Sequence, residues 1–328
     1  MKIGMRDTRR ASVVVRTATA ALTVVLTAGP ATMAASAAPA TEKPAPKKPA
    51  ASATSAASTT AAKKSAVPVL VAKGGYAMDD GSTRTLFTKA ADTRRSTGST
   101  TKIMTARVVL NSKKLDLDAK VTVQKAYSDY IVARSASSSR LIVGDKVTVR
   151  QLLYGLLLPS GCDAAYALAD TFGTGSTRDA RVKSFVGQMN TAAKGLGLKN
   201  THFDSFDGVG KGANYSTPRD LTKLASNTMK NATFRAIVKT RSTKQKVTTK
   251  SGGYRYMSWT NTDKLLGSYP GAIGVKTGSG PESGYCLVFA ATRNGRTVIG
   301  TVLASSTEAA RTADAKKVLD YAFATDGK

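Results

Sequence analysis

Residues 99–110 read STTKIMTARVVL and decide how the chain folds. The stretch is apolar nearly all round the helix that it predicts, which is typical of a helix buried in a core. On its N-terminal side, the run from Val67 predicts two strands joined by a turn at Asp79–Gly81. On its C-terminal side, the strand-like runs GAIGVKT, GYCLVFAAT and TVIGTVLAS precede a helix over residues 307–323. Strands at both ends with helices between them predict an α+β domain whose sheet is mainly antiparallel.

Four further helices are indicated between these strands. Thr148 is placed to cap VRQLLYGLLL, which Pro159 ends, and Asp163 is placed to open AAYALADTF, which Gly173 closes. The other two helices are predicted over residues 181–197 and 217–229. All four fall in the middle of the chain, so the helical part of the domain is contiguous in sequence.

The first 65 residues are predicted to lie outside the folded domain. Residues 1–37 combine basic residues, the short apolar run TATAALTVVLTA and an Ala-Ser-Ala cleavage pattern, which together predict a signal peptide. A transmembrane anchor is the alternative, but about 20 apolar residues are needed to span a bilayer. Residues 38–65 contain almost no large apolar side chain and are predicted to form a disordered tether. The exported folded domain is predicted over residues 66–328.

The chain is strongly basic, with 49 Lys and Arg against 21 Asp and Glu. From residue 66 onward the counts are still 39 and 19, so the predicted domain is itself basic. For an exported protein, this charge favours an anionic wall or membrane surface as partner over nucleic acid. Aromatic residues are 6% of the chain, and the sequence shows no stripe of alternating aromatic and basic residues that would favour nucleic-acid binding.

Ser99-Thr100-Thr101-Lys102 is the first candidate for chemistry. Side chains three apart on a helix lie on one face, so Lys102 can reach Ser99. A serine becomes a nucleophile when a neighbouring base accepts its proton, and a lysine whose pKa is lowered by burial or by a second cation can be that base. A helix cap followed by a solvated lysine is the alternative. The position of the pair at the start of a buried helix counts against it.

Two further motifs follow along the chain. Ser160-Gly161-Cys162 lies between two predicted helices, where a simple turn with a small buried cysteine is the alternative interpretation. Lys276-Thr277-Gly278 ends a predicted strand, where an edge lysine and a turn glycine would also fit. The absence of a side chain at Gly278 would let a substrate backbone approach closely.

In this order, the three motifs resemble the S-x-x-K, S-x-N and K-T-G signature of the serine penicillin-recognising enzymes. Within them the chain is similar to the low-molecular-mass penicillin-binding proteins of the D-alanyl-D-alanine carboxypeptidase/transpeptidase family. The matching stretches, between about Val67 and Tyr321, include RRSTGSTTKIMTA, LLLPSGCDAAYALAD, NTHFDSFDG, YSTPRDLTKLA, NTDKLL and GVKTGSGPESGYCLVFAATRNG. The resemblance implies the penicillin-binding/β-lactamase-like transpeptidase fold, with the active site between a helix-packed antiparallel sheet and an all-helical region.

The resemblance also implies an activity and a role for each matching residue. The chain would transfer the acyl group of peptidoglycan stem peptides ending in D-Ala-D-Ala, and β-lactam antibiotics would acylate it. Ser99 would be the nucleophile, Lys102 would take its proton, and Ser160 would relay a proton towards the leaving amine. The implied substrate-binding residues are Cys162, Lys276, Thr277, Gly278 and Ser279. No cofactor and no metal are implied.

Cys162 is the departure from the family pattern, which has Asn at this position. A thiol donates and accepts hydrogen bonds only weakly, so we expect a looser hold on the substrate amide and a bias from hydrolysis towards transfer. A disulfide with Cys286 is open to an exported protein, but Cys286 lies in an apolar strand, and two free thiols are favoured. The lone His202 leaves no metal cluster, and a structural loop histidine is favoured over a member of a Ser-His-Asp triad.

Two other functions remain open from the sequence. A β-lactamase must deacylate quickly, and no E-x-x-L-N stretch for a Glu-assisted water lies between Cys162 and Lys276. A non-catalytic basic cell-wall-binding or penicillin-sensing protein would not need Ser99 and Lys102. About 50 residues follow the K-T-G strand, too few for the C-terminal domain and anchor of many relatives. We therefore expect a monomer that is extracellular or held by charge at the wall or the outer membrane surface.

Overall fold

The computed structural model describes residues 66–210 and 212–325. The predicted signal peptide, residues 1–37, and the predicted tether, residues 38–65, lie outside the described residues, and both stay predictions. None of the helices in the described ranges is both long enough and apolar enough to cross a membrane.

Nine strands form two antiparallel sheets in the described part of the chain. The strands are β1 (Gly74–Asp79), β2 (Thr85–Lys89), β3 (Lys120–Thr122), β4 (Lys146–Thr148), β5 (Ser242–Thr248), β6 (Tyr254–Thr260), β7 (Ala272–Gly280), β8 (Gly284–Arg293) and β9 (Arg296–Ser305). The larger sheet has the order β2-β1-β9-β8-β7, and the smaller sheet has the order β3-β4-β5-β6. The predicted α+β class with mainly antiparallel sheets is confirmed.

Eight α-helices lie in the described part of the chain. They are α1 (Lys102–Leu110), α2 (Lys125–Arg134), α3 (Val149–Leu157), α4 (Cys162–Phe172), α5 (Arg178–Gly195), α6 (Pro218–Met229), α7 (Ala232–Lys239) and α8 (Glu308–Ala324). A short 3-10 helix, Gly98–Thr101, leads directly into α1. The predicted buried helix is confirmed, because all but one of the residues of α1 are buried.

The predicted helix starts are confirmed in two cases and corrected in one. Thr148 forms a reciprocal capping box with Gln151 at the start of α3, and Thr217 caps α6. Asp163, by contrast, is not the residue that opens α4, because Gly161 holds the cap position. The carboxylate of Asp163 instead accepts hydrogen bonds from Ser139 N and from Leu141 N, so it fixes the loop in front of the helix.

The larger sheet is covered by helices on both faces. Along β8, Leu287 and Phe289 point towards α8, whereas Val288 points to the opposite side. This alternation is the period of two that a strand imposes on its side chains. The opposite side is the main core, where α1 and α6 pack with the other helices. The active-site motifs lie where this helical layer meets β7.

Candidate active site

Ser99 lies in the 3-10 helix directly beside strand β7. A Cβ atom on Gly278 would lie only 2.7 Å from the main-chain oxygen of Thr97, and one on Gly98 would lie 3.1 Å from the main-chain nitrogen of Ser279. Both distances are too short for an ordinary side chain, so the two glycines allow the close approach. The turn that carries Ser99 occupies the side of Gly278 on which a side chain would lie, while Gly278 itself lines the cleft, and its predicted contact with substrate stays a prediction.

Lys102 is completely buried beneath Ser99. Its Nζ donates to Ser99 Oγ at 2.7 Å, to the main-chain oxygen of Asp207 at 3.0 Å and to Cys162 Sγ at 3.3 Å. The hydroxyl and the thiol can each also donate a hydrogen bond, so these contacts suit either an ammonium group or a neutral amine. None of the three partners of the amine is a carboxylate.

Asp207 connects Lys102 to the helical region. The Asp207 side chain accepts a hydrogen bond from Tyr130 at 2.9 Å and another from the main-chain nitrogen of Val209 at 2.9 Å. Burial and the Asp207 carboxylate raise the pKa of Tyr130, so the phenol keeps its proton and remains the donor. The contacts with Tyr130 and Val209 therefore hold Asp207 in place, and with it the main-chain oxygen that accepts the hydrogen bond from Lys102. Neither residue was predicted from the sequence: Asp207 lies in the matching stretch NTHFDSFDG but was assigned no role, and Tyr130 lies in none of the quoted stretches.

The Ser160-Gly161-Cys162 loop places one hydroxyl and one thiol beside Ser99. Ser160 has a positive φ of 66°, an uncommon conformation for a residue with a side chain. Its Oγ is buried and has no hydrogen-bond partner among the described residues, which leaves it free for a substrate or a proton. Burial raises the pKa of the Cys162 thiol, although the neighbouring Lys102 acts in the opposite direction. Cys162 is therefore a neutral thiol in this site.

Lys276 is the second buried amine of the site. It is 1% exposed, and its Nζ donates to the main-chain oxygen of Thr277 at 3.0 Å. Burial and the charge of Lys102 hold the pKa of Lys276 well below its usual value. A second cation nearby disfavours the charged form of a buried amine, so Lys276 has a weakened hold on its own proton.

Arg311 completes the cationic side of the site. It is not among the residues predicted from the sequence. The residue lies on α8, is 4% exposed, and donates from Nη1 to the main-chain oxygen of Gly278 at 3.3 Å. Its Nη2 pairs with Glu308 at 3.2 Å. In the sequence this pair resembles an exposed helical ion pair with i, i+3 spacing. Only the packing of α8 against the sheet turns Arg311 towards the K-T-G strand.

These residues surround a cleft of about 430 Å³. Its walls include Ser99, Ser160, Thr262, Thr277, Ser279 and Arg311. Thr262 holds the Thr277 hydroxyl at 2.6 Å, which fixes the K-T-G threonine at the edge of the cleft. The structure thus brings the three predicted motifs together around one opening.

The remaining candidates lie elsewhere. His202 is exposed, and its main chain pairs with that of Tyr215; it does not line the cleft that contains Ser99. Cys162 and Cys286 are both free and buried, which confirms the prediction of two thiols. Within the described residues, no group of three or more His, Cys, Asp or Glu side chains could hold a metal ion.

Asp263 is a buried carboxyl behind this site, and it gives a pH-dependent prediction. It is 3% exposed, and its Oδ2 has no hydrogen-bond partner among the described residues. Burial raises its pKa to about 6, although the Leu265 N–H and the charges of Arg311 and Lys276 act in the opposite direction. Between pH 4 and 6 the folded chain therefore binds a proton that the unfolded chain has lost. The free energy of unfolding then falls as the pH rises, by about 3 kcal/mol in total at this site.

We expect Asp263→Asn to remove this dependence. Urea unfolding at pH 4, 5, 6 and 7 should show the wild type losing stability relative to the variant as the pH rises. Asp116→Asn, at an exposed carboxyl, is the matched control. The difference in unfolding free energy between the wild type and this variant should not change with pH. A constant difference between wild type and Asp263→Asn across this range would contradict the prediction.

Comparisons with known proteins agree with this geometry. A family described as D-alanyl-D-alanine carboxypeptidase matches residues 59–307. The D-alanyl-D-alanine carboxypeptidase of Streptomyces sp. (strain K15) is 70% identical over 258 residues, which are 78% of this chain and 89% of that protein. D-alanyl-D-alanine carboxypeptidase DacF of Bacillus subtilis (strain 168) is 32% identical over 256 residues, 77% of this chain and 62% of that protein. The crystal structure of the Streptomyces K15 DD-transpeptidase, at 70% identity, matches with a TM-score of 0.79 and covers 79% of this chain and 100% of that one.

These matches confirm the predicted transpeptidase fold and the predicted serine-type enzyme. They do not favour the β-lactamase or the non-catalytic alternative. The family match covers more than half of the chain, and it includes all three motifs. The chain therefore belongs to the D-alanyl-D-alanine carboxypeptidase family.

Proposed function

We propose that the chain catalyses acyl transfer at the D-Ala-D-Ala end of peptidoglycan stem peptides, through an acyl-enzyme on Ser99. The observation that carries this proposal is the 2.7 Å contact between Ser99 Oγ and the buried Nζ of Lys102. A hydroxyl within hydrogen-bond reach of an amine is the geometry of a nucleophile and its base. The high identity to the Streptomyces K15 enzyme supports the same substrate class.

In the proposed acylation, Ser99 Oγ bonds to the carbonyl carbon of the penultimate D-Ala while its proton passes to neutral Lys102. The peptide C–N bond then breaks, and the leaving amine of the terminal D-Ala receives a proton through Ser160. The unpaired Ser160 Oγ supports this relay, since no other described group occupies its lone pairs or its proton. Water or an amino acceptor finally cleaves the serine ester.

The cationic side of the cleft would hold the substrate carboxylate. We assign this role to Thr277, with Arg311 and Lys276 supplying positive charge, because Thr277 and Arg311 line the cleft beside Ser99. The main-chain N–H groups of Ser99 and Ser279 would stabilise the oxyanion. The position of Ser99 and Ser279 in the wall of the same cleft supports this pairing, since preorganised donors stabilise a developing negative charge most effectively.

The proposal extends to where the enzyme acts. The signal-peptide pattern of residues 1–37 and the basic domain support an exported monomer that meets peptidoglycan outside the cell. Positive charge would hold it loosely to the anionic wall or membrane surface, without nucleic acid as partner. Benzylpenicillin and other β-lactams would act as substrate mimics that acylate Ser99.

The intact mass of the purified enzyme, followed over time after adding benzylpenicillin, tests this function. A lasting one-to-one adduct that maps to Ser99 is the expected result. An adduct that disappears as free enzyme returns would favour a β-lactamase. If no adduct forms, the non-catalytic wall-binding alternative is favoured.

Cys162→Asn tests how the second motif affects the balance between hydrolysis of the acyl-enzyme and transfer of its acyl group to an amino acceptor. An Asn amide makes stronger hydrogen bonds to the substrate amide than a thiol does, so we expect hydrolysis to rise relative to transfer. A gain of one neutral hydrogen bond corresponds to a change of about two- to tenfold in this ratio. The ratio is measured from the two products of one peptide thiolester with glycylglycine as acceptor. Cys286→Ser, at the other buried thiol, is the control, and an unchanged ratio in Cys162→Asn would contradict the prediction.

A further inference from the structure

The outer face of the smaller sheet carries cations and aromatic rings together. Direct pairing across the strands puts Lys146 in one row with Thr248 and Tyr254, and it puts Lys246 beside Tyr256. Residues that pair directly in antiparallel strands point to the same face. The exposed lysines and tyrosines of this face are Lys120, Lys146, Lys244, Lys246, Tyr254 and Tyr256. We call this set the lysine–tyrosine face.

The lysine–tyrosine face has no acidic side chain to neutralise it. The four strands read KVT, KVT, STKQKVT and YRYMSWT, without Asp or Glu. The acidic residue next to β4, Asp145, is 1% exposed and pairs with Arg255. Arg255 belongs to the opposite side of β6, where Met257 and Trp259 are buried. The field above the outer face is therefore positive.

The two tyrosine rings are exposed and hold the lysines in place. Tyr254 is 61% exposed and Tyr256 is 55% exposed. The Nζ of Lys246 lies 4.1 Å from the Tyr254 ring centroid, and the Nζ of Lys244 lies 4.6 Å from that of Tyr256. Cation–π contacts at these distances orient the ammonium groups without neutralising them. This face was not predicted from the sequence, because its lysines and tyrosines lie on different strands and Arg255, between the two tyrosines, belongs to the opposite side of β6.

We propose that the lysine–tyrosine face binds a linear phosphodiester polymer of polyol units. Lys244 and Lys246 are two residues apart, so their charges are spaced by about 7 Å along an extended strand. Such a row of cations suits a chain of phosphates, while exposed rings and hydroxyls such as Thr248 and Ser258 suit the polyol units between them. A membrane is less well matched, because the four strands expose no Leu, Ile, Phe or Trp that could insert between lipids.

The choice of polymer rests on the proposed function, which places the chain among anionic polymers of the wall. Strand β6 runs from the lysine–tyrosine face to Thr260, and Thr262 lines the active-site cleft. A polymer held on this face would keep the cleft close to peptidoglycan without occupying it. Binding to the polymer is thus separate from the reaction on the stem peptide.

Binding of purified poly(glycerol phosphate) to the full chain, measured by calorimetry at about physiological salt, tests the proposal. We expect Lys244→Glu/Lys246→Glu to weaken binding at least tenfold. Lys194→Glu/Lys199→Glu changes the net charge equally at two exposed lysines at the end of α5 and beyond it, and it should weaken binding less than threefold. Tyr254→Ala/Tyr256→Ala, which leaves the charge unchanged, should weaken binding about threefold or more. Thermal unfolding of each variant shows whether it is folded.

Three results would overturn the proposal. Equal losses in the two lysine variants would mean that binding follows the net charge alone. Tighter binding to vesicles of phosphatidylglycerol, lost in Lys244→Glu/Lys246→Glu, would make the face a membrane surface. Tighter binding to a single-stranded oligonucleotide than to poly(glycerol phosphate) would make it a nucleic-acid surface. D-Ala release from a soluble peptide should stay unchanged in all these variants, so a failure of the proposed catalytic function would be seen separately.

Discussion

Replacing Ser99 with alanine is expected to abolish the benzylpenicillin adduct and to lower D-Ala release from a D-Ala-D-Ala peptide by at least about 10⁴-fold. The hydroxyl lies 2.7 Å from the amine of Lys102, and no other described hydroxyl makes this contact. Alanine removes the nucleophile and leaves the cleft otherwise unchanged. The readouts are the intact mass after incubation with benzylpenicillin and the rate of D-Ala release.

Ser226→Ala is the matched control for this loss. Ser226 lies on α6, outside the cleft, and is also largely buried. Its hydroxyl donates a hydrogen bond to the Asp80 carboxylate at 2.6 Å. Its removal deletes one hydroxyl and one hydrogen bond, as Ser99→Ala does, and should leave acylation unchanged. An adduct of normal mass in Ser99→Ala would mean that another residue is the nucleophile.

Lys102→Met is expected to slow acylation about 10³-fold while leaving the fold at least as stable. Methionine keeps the apolar stem of the side chain and removes the amine that takes the serine proton. The same change removes a completely buried amine that has no carboxylate among its three hydrogen-bond partners. Burying a polar amine costs desolvation free energy, which its hydrogen bonds offset only in part, so its loss should not destabilise the protein.

The two effects of Lys102→Met separate a catalytic role from a structural one. Acylation rates come from stopped-flow fluorescence with benzylpenicillin, and stability comes from urea unfolding. Lys183→Met, at an exposed lysine of α5, controls for the loss of one charge. Acylation within tenfold of the wild type would exclude Lys102 as the base, and a large loss of stability would make its role structural.

The sequence predicted the catalytic side of the site better than its surroundings. Ser99 and Lys102 are three residues apart, where the 3-10 helix leads directly into α1, so their contact follows from local geometry alone. The contact of Arg311 with Gly278 depends on how α8 packs against the larger sheet. The contact of Asp207 with Lys102 joins residues 105 positions apart, through the main-chain oxygen of Asp207. Neither contact leaves a pattern in the residues around it. The buried helix and the strands of the larger sheet were predictable because each is a local run of mostly apolar residues, and the order of these runs indicated the fold class.

The smaller sheet was missed for a related reason. Strands β3 and β4 have three residues each, and β5 is mostly polar. Only Val147, Val247 and the inner residues of β6 are apolar enough to mark a buried face. A sheet built from such short pieces is recognisable only when its strands are seen side by side. Asp163 shows the same limit, since its place near a helix start was predicted but its bonds to the preceding loop were not.

The pairing of β1 with β9 has a consequence for how the enzyme is made. Gly74 pairs with Leu303 and Asp79 pairs with Val298, so the larger sheet closes only when both ends of the domain are present. Such distant contacts slow folding because a long loop must close first. At the usual rate of synthesis, β9 follows β1 by about 10 to 45 s. A growing chain therefore carries Ser99 and Lys102 before it has the K-T-G strand, and the larger sheet that flanks the active site can be completed only near the end of synthesis.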